Sequence, residues 1–124
     1  TAGTLGWGIC FDLRFPEQFR ALSRAGMEIL LAPSAFTETT GSVHWELLLR
    51  ARAVENLCYV VAANQVGEHS PNMRSYGHSC IVDPWGKVIA CVASNEPGMA
   101  LAEIDLNYLH DLRKRLPVHR LRRD

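Results

Sequence analysis

Two short, uninterrupted apolar runs constrain this chain most: EILLAP over 28–33 and CYVVAAN over 58–64. Neither alternates between apolar and polar residues, so each predicts a strand buried on both faces. Pro33 stops the first run. Between the two lies the strongest helical pattern in the chain, Val43 to Asn56. Leu47, Ala51 and Val54 keep an apolar period there, and Glu46 and Arg50 form an i,i+4 pair in the favourable order.

Upstream, Leu5, Trp7 and Ile9 alternate with Gly6 and Gly8. This predicts a strand with one bulky face and one bare face, which another backbone or a helix can approach closely. Cys10 ends that strand. Pro16 to Ala25 reads as a helix, with proline at its first position, Glu17 at its positive end and Gly26 as terminator. The polar segment Ser34 to Ser42 reads as a loop beyond a strand end, the kind of segment that lines a pocket. Glu68 to Gly77 also reads as a loop. HSCIVDPWGKVIACV reads as a hairpin turning at Asp83-Pro84-Trp85-Gly86. GMALAEIDL predicts a last strand, and Asn107 to Arg115 a short helix stopped by Pro117. Alternating α/β at first and β-rich later, this order points to a layered α/β sandwich. It is one domain over 1–124 with a basic tail at 113–124.

With 124 residues, 48 % of them hydrophobic, the chain has enough apolar surface for a core. Its formal net charge is zero, so no overall field favours nucleic acid or an anionic membrane. No apolar run approaches the ~18 residues of a spanning helix. The expectation is a soluble, cytoplasmic protein with neither nucleic acid nor membrane as partner. The tail RKRLPVHRLRRD reads as solvated or packed on another subunit. The chain starts at Thr1 and runs straight into a strand, as a processed or truncated chain would. Cys10, Cys58, Cys80 and Cys91 contain no C-x-x-C pair, so neither a zinc site nor a disulfide framework is expected.

Cys10 is the candidate nucleophile, and position alone leaves a buried thiol as the alternative. Phe11 to Phe15 separate it from the helix start, which weakens any effect of the helix dipole on the thiol. A nucleophilic thiol there needs a separate base. His44 and His78 are the histidines that could serve, and neither spacing singles one out. Asp12 reads as an ion pair with Arg14. Lys87 follows the hairpin turn and Lys114 lies in the basic tail, so neither reads as an active-site cation.

Four ordered blocks carry a resemblance that composition does not: GICFDLRFPE, LLAPSAFTETTGSVHWELLLRARAVENLCYVVAANQVG, RSYGHSCIVDPWGKVIA and AEIDLNYLHDLRKRLPVHR. Together they resemble the C-terminal half of the nitrilase superfamily, the carbon–nitrogen hydrolases, and most of all the branch acting on deaminated glutathione and related bacterial hydrolases. The resemblance implies the C-terminal portion of a four-layer α-β-β-α sandwich. It implies an amidase acting on small linear amides through a Cys thioester, with no metal and no cofactor. Cys10 matches the nucleophile and the backbone N–H of Phe11 the oxyanion donor. Arg14 and Glu17 are expected to support the turn. Ser34, Ala35, Phe36 and Thr37 are expected to border the substrate pocket. Homodimers or higher oligomers are implied through Pro16–Ala25 and Val43–Asn56.

The family's glutamate base, lysine and second glutamate precede the nucleophile, and no acidic or basic residue precedes Cys10 here. The chain alone is therefore expected to be inactive or nearly so, with sheet edges and apolar faces uncovered. Omega-amidases and carbamoyl-amide hydrolases are more distant alternatives. A non-catalytic truncated product, or a fragment pairing with a separate N-terminal half, is another. A papain-like hydrolase would require His44.

Overall fold

The computed structural model describes residues 2–93 and 95–123. Among the described residues, seven strands form two sheets: β1 (Leu5–Trp7), β2 (Ile29–Leu31), β3 (Tyr59–Ala62), β4 (Val66–Ser70), β5 (Met73–Tyr76), β6 (Cys80–Val82) and β7 (Val88–Cys91). The main sheet has the order β1-β2-β3-β6-β7; β4 and β5 pair separately. β1, β2 and β3 are parallel, with Leu5 opposite Ile29 and Ile29 opposite Tyr59. β6 and β7 add antiparallel. The helices are α1 (Pro16–Arg24), α2 (Glu38–Thr40), α3 (Glu46–Asn56), α4 (Leu106–Arg115) and α5 (Val118–Leu121).

One face of the sheet is fully covered. Leu30, Ala32, Val60, Ala62, Cys80 and Val82 pack there with Phe19 of α1 and Leu49 and Ala53 of α3. On the opposite face, Ile29 and Tyr59 meet Leu109 of α4. At the β1 edge that face is bare: Leu5, Trp7 and Ile9 are 56, 72 and 64 % exposed. The continuous apolar runs are thus built to be covered on both sides, and this chain covers one side plus a corner of the other.

The bare face of β1 does what its glycines predict. A Cβ on Gly6 would lie 2.4 Å from Met27 Sδ, and one on Gly8 would lie 2.5 Å from the Phe19 ring. Only a strand without side chains there lets α1 sit this close.

Five expectations need correction. The inner face of α3 carries Leu49, Arg52, Ala53 and Asn56, while Leu47 and Val54 point outward at 65 and 46 % exposure. A buried arginine and asparagine hide the true inner face from an apolar count. The helix also begins earlier: α2 and a π-turn at Gly41–Trp45 fill part of the presumed loop. Residues 68–77 are mostly the β4–β5 hairpin, whose polar, exposed residues gave no alternation to read. Residues 98–104 keep a period of two, with Met99 and Leu101 80 % exposed. They join no ladder among the described residues, so they are extended chain and not a strand.

Finally, the basic tail packs on its own chain. Arg113 donates to the carbonyls of Leu57 (2.9 Å) and Met27 (2.7 Å). Leu57 is the left-handed cap of α3, and carbonyls at such helix ends lack intrahelical partners. His119 pairs with Ser23 at 3.1 Å, and burial followed by the nearby arginines lowers its pKa.

Gly8→Ala forces a Cβ into the Phe19 ring. We expect urea unfolding of the variant to show a loss of about 1–3 kcal/mol; unchanged stability would contradict the close approach.

Candidate active site

Cys10 sits where β1 runs out. The ladder extends past the strand: Gly8 N–H donates to Leu31 O at 3.1 Å and Cys10 N–H to Pro33 O at 3.0 Å. The chain then reverses into a 3₁₀ turn, Cys10–Arg14. Cys10 takes a left-handed backbone conformation, φ +49°. A non-glycine residue there costs about 1–2 kcal/mol. Surrounding contacts over-determine the strain. Asp12 accepts the Ile9 N–H at 2.8 Å through its carboxylate and donates its own N–H to Ile9 O at 3.0 Å.

The expected Asp12–Arg14 ion pair does not form among the described residues, because Asp12 is spent on the turn. The Arg14 guanidinium instead lies 5.3 Å from the centroids of both the Phe11 and Phe36 rings, a cation over two aromatic faces.

From the opposite side, Arg52 clamps the same turn. Its Nε and Nη2 donate to Leu13 O at 3.0 and 2.7 Å, and its Nη1 pairs with Glu55 at 2.7 Å. Sequence reasoning missed this residue. Its one signal was a charge facing inward on α3, which apolar counting assigns to the outside.

The loop after β2 brings the pocket residues to Cys10. Ser34 N–H donates to Ala63 O at 2.8 Å, and its hydroxyl turns back to Ala32 O at 3.2 Å. Ala35 N–H donates to Cys10 Sγ at 3.5 Å. The buried Phe36 ring packs on Trp45 at 5.0 Å. Thr37 Oγ1 accepts the Thr40 N–H and caps α2.

Two clefts meet at the sulfur. One, about 490 Å³, is lined by Ile9, Cys10, Pro33, Ser34, Ala35, Ala63, Asn64 and Gln65. The other, about 250 Å³, is lined by Cys10, Phe11, Arg14, Ala35, Phe36, Thr37 and Thr40. Asn64 and Gln65, at the end of the second apolar run, are further lining residues that sequence reasoning missed; a polar pair closing such a run was the available signal. A larger groove of about 630 Å³ runs from Thr37 along the β4–β5 turn and does not reach Cys10.

The structure therefore gathers Cys10, Phe11, Arg14, Ser34, Ala35, Phe36 and Thr37. It does not gather Glu17, which lies exposed in the first turn of α1 without a hydrogen bond or ion pair among the described residues. Glu17 can support the turn only through the helix dipole. The Phe11 N–H also has no acceptor among the described residues, so it is open to a ligand. No histidine lines either cleft. His44 lies in the π-turn, and His78 holds Tyr76 O at 2.7 Å while stacking on the Tyr76 ring. A Cys–His pair is not assembled. Among the described residues, Arg14 is the only charged side chain lining either cleft.

All four thiols are free. Burial pushes those of Cys58 and Cys80 up to about 12. At pH 8 we expect site-resolved alkylation by iodoacetamide to mark Cys10 and Cys91 at least about 100-fold faster than Cys58 and Cys80, because the thiolate reacts. Comparable labelling of Cys58 in folded protein would contradict the burial.

Comparison with known proteins agrees with this geometry. A sequence model of the family "Carbon-nitrogen hydrolase" matches residues 1–114. The chain is 60 % identical over 122 residues to deaminated glutathione amidase of Bos taurus, covering 98 % of this chain and 37 % of that protein. The crystal structure of the Caenorhabditis elegans NitFhit protein superimposes with a TM-score of 0.92 at 55 % identity, covering 96 % of this chain and 29 % of that one. A mutant amidase from Nesterenkonia sp. AN1, showing Michael addition of acrylamide at its active-site cysteine, superimposes with a TM-score of 0.71 at 32 % identity. It covers 94 % of this chain and 45 % of that one. The chain thus spans less than half the length of each of these relatives. With the family model matching residues 1–114 and this mixed sheet, the chain belongs to the carbon–nitrogen hydrolase family.

Proposed function

We propose that the full-length protein is an amidase hydrolysing the C–N bond of a small linear amide, with deaminated glutathione as the candidate substrate. One observation carries this reading: a strained, left-handed Cys10 at a strand end, its Sγ facing two clefts. The thiolate attacks the amide carbonyl and the C–N bond breaks, releasing ammonia or an amine. Water then hydrolyses the thioester. The open N–H of Phe11 is the oxyanion donor. Arg14, 5.3 Å from two ring centroids, is the group for a substrate carboxylate, since guanidinium pairs with carboxylate through two parallel bonds. That role goes beyond supporting the turn.

The base and the lysine of this chemistry come from sequence N-terminal to Cys10. The bare apolar face at Leu5, Trp7 and Ile9 is a place for that part of the protein to pack. The 124-residue chain by itself is inactive in this reading. The four free thiols favour a reducing, cytoplasmic setting.

Ammonia release assayed on deaminated glutathione, an α-keto acid amide and a carbamoyl amino acid tests the substrate class. Cys10→Ala abolishes turnover, and Arg14→Ala raises KM for the carboxylate-bearing substrate by about tenfold or more. Turnover by Cys10→Ala, or by none of the substrates in wild type, would overturn the reading.

We further propose that the protein dimerises through the outer face of α3. Val43, Leu47 and Val54 are exposed there beside Trp85, which is 63 % exposed at the β6–β7 turn. Such a patch favours a partner surface over water. Leu47→Glu is expected to shift sedimentation at micromolar concentration from dimer to monomer. A wild-type monomer would contradict this.

A further inference from the structure

The Ala35 N–H that meets Cys10 Sγ belongs to a loop, and loops hold their groups loosely unless something pins them. Here both neighbours of Ala35 are pinned by one stretch of chain. Ser34 is bound through its backbone: its N–H donates to Ala63 O at 2.8 Å and its carbonyl accepts the Gln65 N–H at 3.0 Å. Phe36 is bound through a side chain: its N–H donates to Asn64 Oδ1 at 2.8 Å. The other end of that carboxamide is committed as well, with Nδ2 donating to Gly77 O at 2.8 Å. The Asn64 backbone N–H donates to Ser79 Oγ at 2.9 Å.

Asn64 is 8 % exposed. A buried carboxamide whose oxygen and nitrogen each have a partner fixes orientation on both sides. Asn64 also lines the cleft that contains Cys10. It therefore ties three things together: the strand β3, the start of the segment after β5, and the loop that faces the sulfur.

We propose that Asn64 is a positioning residue for the Cys10 centre: its carboxamide holds the Ala35–Phe36 peptide so that the Ala35 N–H stays aimed at Sγ. This rests on reading Cys10 as the reacting group. A thiolate that receives an N–H bond is favoured over one that does not. Keeping the donor in place before reaction also spares the site that rearrangement during it. An apolar replacement at this position leaves the Phe36 N–H and the Gly77 carbonyl without partners and frees the Phe36 side of the loop, with only the Ser34 backbone bonds left to hold it.

The test measures Cys10 itself in the full-length protein, by site-resolved iodoacetamide alkylation, alongside amide hydrogen exchange. Asn64→Ala is expected to slow Cys10 alkylation about tenfold, the effect of one lost hydrogen bond. It should speed exchange at Ala35 and Phe36 by at least about tenfold, while Leu30 and Val60 in the core stay protected. Asn64→Asp at pH 5 supplies the discriminating control. A buried carboxyl stays protonated there and reproduces both bonds of the amide. Its Cys10 rate should lie within about threefold of wild type at the same pH.

Asn64→Ala as reactive as wild type, or Asn64→Asp at pH 5 as slow as Asn64→Ala, would overturn the proposal. Should Asn64→Ala fail to fold, the Asn64→Asp rate at pH 5 decides alone: near wild type supports it, tenfold slower sinks it. Alkylation does not depend on amide turnover. A protein that alkylates as described yet hydrolyses no amide would remove the proposed function and leave the role of Asn64 standing.

Discussion

The site depends on one buried cation. Arg52, on the inner face of α3, places two donors on the Leu13 carbonyl and a third on Glu55. A guanidinium out of water is costly unless its donors are used, and here they are used on the turn that carries Cys10. The clamp fixes α3 against that turn. On its other side, α1 closes onto the bare glycines of β1, so the turn is held between two helices and a strand. A left-handed cysteine is an unfavourable conformation for a free chain. It persists because these contacts leave the backbone no alternative.

From that constraint the rest follows in order. With the turn fixed, the ladder at Cys10 and Pro33 sets where the loop after β2 begins. The loop then places Ala35 against the sulfur and Phe36 under Arg14. The Arg14 guanidinium lies 5.3 Å from both ring centroids and lines the same cleft as Cys10. Among the described residues no carboxylate, lysine or histidine lines the two clefts, so no base there can activate the Cys10 thiol.

Much of this was legible in the sequence, for identifiable reasons. β1, β2, β3, the β6–β7 hairpin and α1 announced themselves through apolar runs, turn residues and caps, which are local properties. Gly6 and Gly8 were readable because a strand needs a reason to omit side chains on one face. Cys10 reads as a nucleophile only through the ordered blocks around it, since strand-end position alone favours a buried thiol. What escaped was non-local. The inner face of α3 is polar at Arg52 and Asn56, and only tertiary partners make that burial sensible. The β4–β5 hairpin has no core face to pattern it. Residues 98–104 alternate like a strand but pair with no neighbour among the described residues. Arg113 looked like part of a tail until its partners, the carbonyls at two helix ends, were in view.

Acid-quenched mass spectrometry of the full-length protein incubated with deaminated glutathione tests most directly whether Cys10 carries a covalent acyl intermediate. An acyl adduct is expected on the peptide containing Cys10, released by mild hydroxylamine as a thioester would be. Sustained turnover with an unmodified Cys10 peptide, or an adduct on Cys91 instead, would contradict it.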